Sequence, residues 1–370
     1  MDFQPSADRS MLAETLGRYL QKRYPVEVRH QISSSTAGWS PAHWRELADL
    51  GVLGGLVSES AGGFGGEGFD IAAIFEQLGR VIAVEPFLGT LMAARALALI
   101  GGHEALMGEV LTGSAMLAFA HEEPTSRYDL TSIRTSAKFD GTEWILTGTK
   151  AVVAHVEAAD HVLVSARVSG TEGDQTGVGL FLVKRNAPGL SIQGYPLIDG
   201  GRAGDLHLVD TPSTLVAEAG YPVIEDAVAA GIVALSWEAV GIMDVTRMAT
   251  LEYLRTRRQF GVPIGKFQAL QHRMATVALE IEQARSAAIN AANALQGDRI
   301  KRERSISAAK YTIGRAGTLV AEEAIQLHGG MGMTWELPVS HFAKRLTMIG
   351  HQLGDEDHHL ARFIKLGEAV

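Results

Sequence analysis

Arg255-Thr256-Arg257-Arg258-Gln259-Phe260-Gly261-Val262-Pro263-Ile264-Gly265-Lys266-Phe267-Gln268-Ala269-Leu270-Gln271-His272 ends one helical stretch and opens another. Three arginines in four residues close the first helix. Phe260-Gly261 and Pro263 then force a turn. Guanidinium groups grip phosphate through a forked set of N–H donors, so the segment suits an anion. The same composition also suits a solvated basic helix end favoured by the helix dipole. Beyond the turn, Leu270, Met274, Val277, Ala278 and Ile281 share one apolar face, and the alanine-rich stretch 284–295 predicts a strong helix.

A second segment, Gln326-Leu327-His328-Gly329-Gly330-Met331-Gly332-Met333-Thr334-Trp335-Glu336, follows some distance on. Its paired glycines let a backbone or a ligand approach closely. A helix C-cap followed by a loop is the alternative.

Outward from these segments the chain changes character twice. Residues 1–113 read as helical; Ile71, Ile74, Phe75 and Leu78 fall on one helix face. Residues 114–215 carry short alternating runs: 134–139, a hairpin turn at Asp140-Gly141, 144–146, 162–168, 178–183 and 206–209. They predict a middle antiparallel β domain, a small barrel or sandwich. Residues 216–370 return to the helical period and predict a four-helix bundle. The fold class is therefore α+β, in the order all-α, all-β, all-α. The glycine run 61–68 resembles a phosphate-binding loop, but no β-branched strand precedes it, which favours a flexible turn.

Composition narrows the function. Hydrophobic residues make up 46% of the 370, enough for a globular chain of several packed units. With 33 Lys and Arg against 42 Asp and Glu, the net charge of −9 argues against nonspecific nucleic-acid binding. Without cysteine there is no disulfide, thiolate or cysteine-ligated metal. Met1-Asp2-Phe3-Gln4 lacks the pattern of a secretory signal, and the apolar run 88–100, broken by Arg95, reads as a core helix with no membrane span. A cytoplasmic protein is the expectation.

Taken together, both C-terminal segments, the spacing between them, Trp44-Arg45-Glu46-Leu47-Ala48 with Leu50–Gly54, the glycine loop and Glu85-Pro86-Phe87-Leu88 resemble the acyl-CoA dehydrogenase family. The resemblance covers the whole chain and implies FAD, an acyl-CoA substrate and a tetramer built as a dimer of dimers. It implies α,β-desaturation, in which a carboxylate removes the α-proton while a hydride leaves the β-carbon for the flavin; burial tunes such a carboxylate to work near neutral pH. An electron-transfer flavoprotein often accepts the electrons.

In the family the FAD diphosphate and adenosine are contacted from a neighbouring subunit. The resemblance assigns that role here to Arg257, Phe260, Gln268, Gln326, Leu327, His328, Gly329 and Gly330. The flavin ring is instead held by the β domain of its own subunit, through a Thr-Glu-Pro-Gly-Ala-Gly-Ser-Asp-like loop. That loop matches Glu122-Glu123-Pro124-Thr125-Ser126-Arg127-Tyr128-Asp129, where the glycines and the serine are replaced. A Trp-Ile-Thr element after a lysine falls at Val152-Val153-Ala154 after Lys150, without the ring or the hydroxyl.

The base is missing as well. The family's usual glutamate falls at Leu353 by one count and Gly350 by another; the alternative position on an earlier helix falls at Gly231, followed by Ile232. Glu238, two turns past Gly231, and Asp355 are the carboxylates left as candidates; a packing residue and a turn or cap residue are their plainer readings. His351, His358 and His359 show no metal-ligand spacing with a carboxylate, so no metal is expected. The loop Gly200-Gly201-Arg202-Ala203-Gly204-Asp205 resembles a substrate-side loop but lacks its hydroxyl residue.

Elements that serve a neighbour's FAD match the family, while those serving this chain's own flavin do not. The expectation is a non-catalytic subunit of a heterotetramer, paired with a second acyl-CoA dehydrogenase subunit, as in actinobacterial enzymes acting on steroid side-chain thioesters with half the usual flavin. The alternatives are a self-sufficient homotetramer with an unconventional base, and a flavin-free structural member.

Overall fold

The computed structural model describes residues 6–368; Met1-Asp2-Phe3-Gln4, where the sequence shows no secretory pattern, lies outside them. Helices run first: α1 (Ala7–Arg23), α2 (Val26–Ser33), α3 (Pro41–Asp49), α4 (Val52–Gly55), α5 (Gly68–Val81), α6 (Phe87–Ile100) and α7 (Glu104–Leu111). Strands follow: β1 (Leu117–Ala120), β2 (Ser136–Phe139), β3 (Trp144–Ala154), β4 (His161–Arg167), β5 (Val178–Lys184), β6 (Leu190–Pro196) and β7 (Arg202–Ala217). The rest is α8 (Tyr221–Thr256), a short hairpin of β8 (Arg258–Gln259) and β9 (Val262–Pro263), α9 (Gln268–Ala294), α10 (Arg299–His328), α11 (Pro338–His351) and α12 (Glu356–Glu368). This is the expected class: helices, a β domain, helices.

The chain forms two compact units. One comprises the chain up to Val28, Glu67–Ala83 and everything from Ile232 on; the other comprises Arg29–Gly66 and Val84–Gly231.

In the second unit, β2, β3, β7, β5 and β4 close into a barrel, because β4 pairs with both β5 and β2; β1 lies beside β4 and β6 beside β7. Leu146, Val164, Phe181, Val183 and Leu206 fill it and are buried. The hairpin at Asp140-Gly141 forms as its sequence predicts: Asp140 Oδ1 accepts from the N–H of Thr142 and Glu143, and Gly141 has φ 105°. Two pairings, β1 with β4 and β2 with β4, are parallel, which corrects the expectation of a wholly antiparallel domain. Alternation in a strand reveals which face is buried, not the direction of its neighbour. The glycine run 61–68 is not a flexible turn. A Cβ on Gly63 would sit 2.1 Å from the carbonyl oxygen of Val57, and one on Gly65 2.2 Å from that of Gly55, so it is a tightly packed one.

In the first unit α10 is central, packed by α9, α11 and α12, while α5 lies against α1 and α9. Ile71, Ile74, Phe75 and Leu78 of α5 are all buried, as their spacing requires. Helices α5 and α8 touch backbone to backbone through reciprocal glycines: Gly79 against Glu238 and Gly241 against Glu76. Helix α8 is long and apolar enough to cross a membrane, but 94% of its apolar window is buried in the fold, so it is a core helix. The sequence reading weighs only the shorter run that forms α6.

Candidate functional site

The anion-suited segments lie in the first unit, and the structure joins them. Helix α8 ends at Thr256 and turns through the β8–β9 hairpin, whose tip residues Phe260 and Gly261 are left-handed at φ 52° and 80°. The end of α8 meets the end of α10 through Tyr253. Its ring stacks on His328 at 4.5 Å, and its hydroxyl donates to the His328 carbonyl at 3.4 Å. His328 is buried, with Nδ1 donating to the carbonyl of Ala324 at 2.8 Å, and Leu327 is buried beside it. Tyr253 was missed in the sequence; one helical turn before Arg257, it is the residue whose carbonyl accepts the Arg257 N–H at 2.8 Å.

Around this buried anchor the remaining residues face outward. Arg257, Gln268, Gln326, Gly329 and Gly330 are exposed, and Phe260 is 91% exposed. The Arg257 guanidinium has no partner among the described residues. A Cβ on Gly329 or Gly330 would meet nothing within 4 Å, so the backbone there is open to a close approach. An unpaired fork of N–H donors just past the end of α8, and open glycine backbone just past the end of α10, suit a diphosphate. Met331, Met333 and Trp335, also exposed, extend the surface with apolar groups.

The loop expected to hold a flavin ring lies in the second unit and has two layers. Beneath is a buried ionic network. Lys150, fully buried, donates to the Glu123 carboxylate at 2.8 Å, to Ser165 Oγ at 3.0 Å and to the His121 carbonyl at 3.0 Å. Glu123 also accepts from the backbone N–H of Arg134 and Thr135 at 2.8 and 3.0 Å. Burial would raise the Glu123 carboxyl, but Lys150 and these N–H donors hold it below its usual range. Burial lowers Lys150 to about 8 against the pull of Glu123, and lowers His121 to about 3, so His121 is neutral.

Above this network the side chains change. Arg127 and Tyr128 sit at φ 45° and 69°, and Val152 at φ 53° in a bulge of β3, its N–H held by Asp205 Oδ1 at 2.9 Å. Glu122 has no side-chain partner among the described residues, and burial raises its carboxyl. Arginine stands where the motif has glycine, a carboxyl where it has a hydroxyl, and valine where it has tryptophan. These residues do not fit a flavin ring. Arg202 of the substrate-side loop is tied to Glu157 at 2.6 Å.

No free base appears at the expected positions. Gly231 is buried within α8 and Gly350 is near the end of α11. Leu353 occupies the turn before α12 at φ 58°. That turn is pinned: Lys310 donates to the carbonyls of Ile349, Gly350 and Gly354 at 2.8, 3.0 and 2.6 Å, and His359 Nε2 donates to that of Leu353 at 2.9 Å. Glu238 is buried and paired at both oxygens with Arg345, at 2.6 and 2.7 Å. Asp355 caps α12, accepting from the His358 N–H at 2.9 Å. The plainer readings of both carboxylates fit their surroundings. Among the described residues no group of three or more His, Asp or Glu side chains could hold a metal.

Comparison with known proteins covers almost the whole chain. Family models described as the acyl-CoA dehydrogenase N-terminal, middle and C-terminal domains match residues 6–115, 118–210 and 218–362. The acyl-CoA dehydrogenase IpdE2 of Mycolicibacterium smegmatis is 28% identical over 360 residues, 96% of this chain and 98% of its own. Among solved structures, a variant of the Tcur3481–Tcur3483 steroid ACAD is 31% identical, with a TM-score of 0.89 and coverage of 98% and 99%. The ChsE4–ChsE5 complex of Mycobacterium tuberculosis is 25% identical, with a TM-score of 0.91 over the full length of both chains.

Proposed function

This chain belongs to the acyl-CoA dehydrogenase family, and from that premise we propose that it is the non-catalytic subunit of a heteromeric acyl-CoA dehydrogenase. Its surface around Arg257 and Gly329-Gly330 completes the FAD site of a partner subunit, while its own cleft does no chemistry. The observation that carries this is the pairing of an intact, outward-facing anion site with a ring platform whose residues do not fit a flavin. The FAD so held would accept a hydride during desaturation of an acyl-CoA.

This chain's residues contribute binding and orientation. Arg257 offers a charged fork to the diphosphate, Gly329 and Gly330 leave room for its close approach, and the Tyr253–His328 stack fixes the two segments relative to each other. Phe260, Met331, Met333 and Trp335 supply apolar contact to the partner chain. Two similar solved structures are named as two-component assemblies, one of them a steroid ACAD, which supports a heterotetramer acting on a bulky acyl-CoA. A cytoplasmic setting and an electron-transfer flavoprotein as acceptor complete the reading.

The test is a flavin count. The chain is purified alone and after co-expression with the acyl-CoA dehydrogenase subunit encoded nearest to it, and FAD per chain is read by absorbance. Little FAD alone and one FAD per pair in the complex is the expected result. One FAD per chain in the lone protein overturns the proposal in favour of a self-sufficient flavoenzyme. No FAD in either preparation favours a structural member of the family.

A further inference from the structure

We infer that this chain's own flavin platform is altered only at a few replaceable side chains, Glu122, Arg127, Tyr128 and Val152, and that the backbone beneath them is still in the conformation of an open one. The inference rests on the subunit role proposed above and concerns how the second flavin is kept out.

The backbone carries the argument. Arg127 stands where the family loop has glycine, and its φ of 45° lies in the left-handed region that glycine enters without cost and arginine does not. Tyr128 follows at φ 69°. Val152 is β-branched and left-handed at φ 53°, a combination that sequence preference alone would not select. Residues persist in such conformations where the surroundings over-determine them. Here the surroundings are on view. Glu123 is fixed by Lys150 and by the N–H groups of Arg134 and Thr135, Ser126 Oγ donates back to the Glu123 carbonyl at 3.0 Å, and the Asp129 N–H donates to the Ser126 carbonyl at 2.9 Å. The Val152 N–H is held by Asp205, and the Ala151 N–H donates to the Glu122 carbonyl at 2.9 Å. Each tie runs through backbone atoms or through the side chains of Glu123, Lys150, Ser126 and Asp205. None uses the side chains of Arg127 or Val152, both of which are exposed. Removing the side chains of Arg127 and Val152 therefore leaves these ties in place.

The experiment uses the co-expressed complex. This chain carries Glu122→Thr, Arg127→Gly, Tyr128→Ser, Val152→Trp and Ala154→Thr together, and FAD retained after gel filtration is counted beside the wild-type complex. One FAD per pair in wild type and two per pair in the variant is expected, with FAD affinity at the new site up by roughly tenfold or more. A folded variant complex still holding one FAD per pair overturns the inference and leaves the subunit role standing. Two FAD per pair in the wild-type complex overturns both. Arg127→Gly in the chain alone reads the backbone directly: its unfolding midpoint rises if the loop is held left-handed, and a fall refutes that conformation whatever the flavin count.

Discussion

Replacing Arg257 with alanine removes an exposed cation of the proposed trans site, and its lack of a partner sets the size of the effect. The guanidinium has no partner among the described residues and the side chain is exposed, so nothing in the fold depends on it. A charge-assisted contact to phosphate contributes about 1.5–3 kcal/mol. At about 1.4 kcal/mol per tenfold, FAD should bind roughly 10- to 150-fold more weakly. Arg257→Lys should recover only part of this, because an ammonium keeps the charge and loses the planar fork. The assay is FAD titration of the deflavinated complex, followed by flavin fluorescence, with the melting curve of the FAD-free complex as control. Unchanged FAD affinity in Arg257→Ala would refute the reasoning. So would a loss of affinity matched by an equal loss of stability in the FAD-free complex, since that would make Arg257 a fold residue.

Glu238→Gln breaks the bidentate pair with Arg345 and should destabilise the chain by about 3–5 kcal/mol, the typical cost of leaving one buried partner uncompensated, while turnover per bound FAD stays unchanged; abolished turnover in a folded complex would restore Glu238 as a base. His121 and His359, both lowered to about 3 chiefly by burial, are neutral when folded but take protons below about pH 6.5 when unfolded. Stability should therefore fall as pH drops from about 6.5 towards 3, by about 1.4 kcal/mol per pH unit for each histidine. His359→Gln should shallow that slope by one histidine in urea titrations at several pH values, and an unchanged slope contradicts this. Leu353→Glu, which places a carboxyl at one of the positions counted for the family's base, should give the lone chain no acyl-CoA dehydrogenase activity, because the residues of its ring platform are still those that do not fit a flavin; measurable flavin reduction by acyl-CoA would contradict that.

Much of the fold could be read before the structure. The spacing of Ile71, Ile74, Phe75 and Leu78 predicts α5 because a helix must bury one stripe, and Asp140-Gly141 predicts its hairpin because the turn needs those residues. What escaped was set by distant partners. The parallel pairing of β1 with β4 depends on how strands meet, and local alternation is silent on it. Tyr253 anchors the end of α10 from 75 positions away in sequence, visible only once α8 and α10 are side by side. Glu238 could be named from its helical phase relative to Gly231, but its pairing with Arg345, 107 positions away, could not.

The division between matching and altered residues does not follow the demands of folding. Lys150 and Glu123 match the family and also hold the barrel together, since a buried ammonium left without its carboxylate would be strongly destabilising; their presence requires no ligand to explain it. Arg127 and Val152 differ from the family and are exposed, so folding permitted the change. Arg257, Phe260, Gly329 and Gly330 break this pattern. They too are exposed, and stability asks nothing of them; Phe260 even exposes 91% of an aromatic side chain at a left-handed φ of 52°, an arrangement unfavourable for an isolated chain. Folding therefore does not account for their match to the family motif. A ligand and a partner surface would, and both lie outside this chain's own altered platform, which is why the trans role is the reading that leaves none of these residues unexplained.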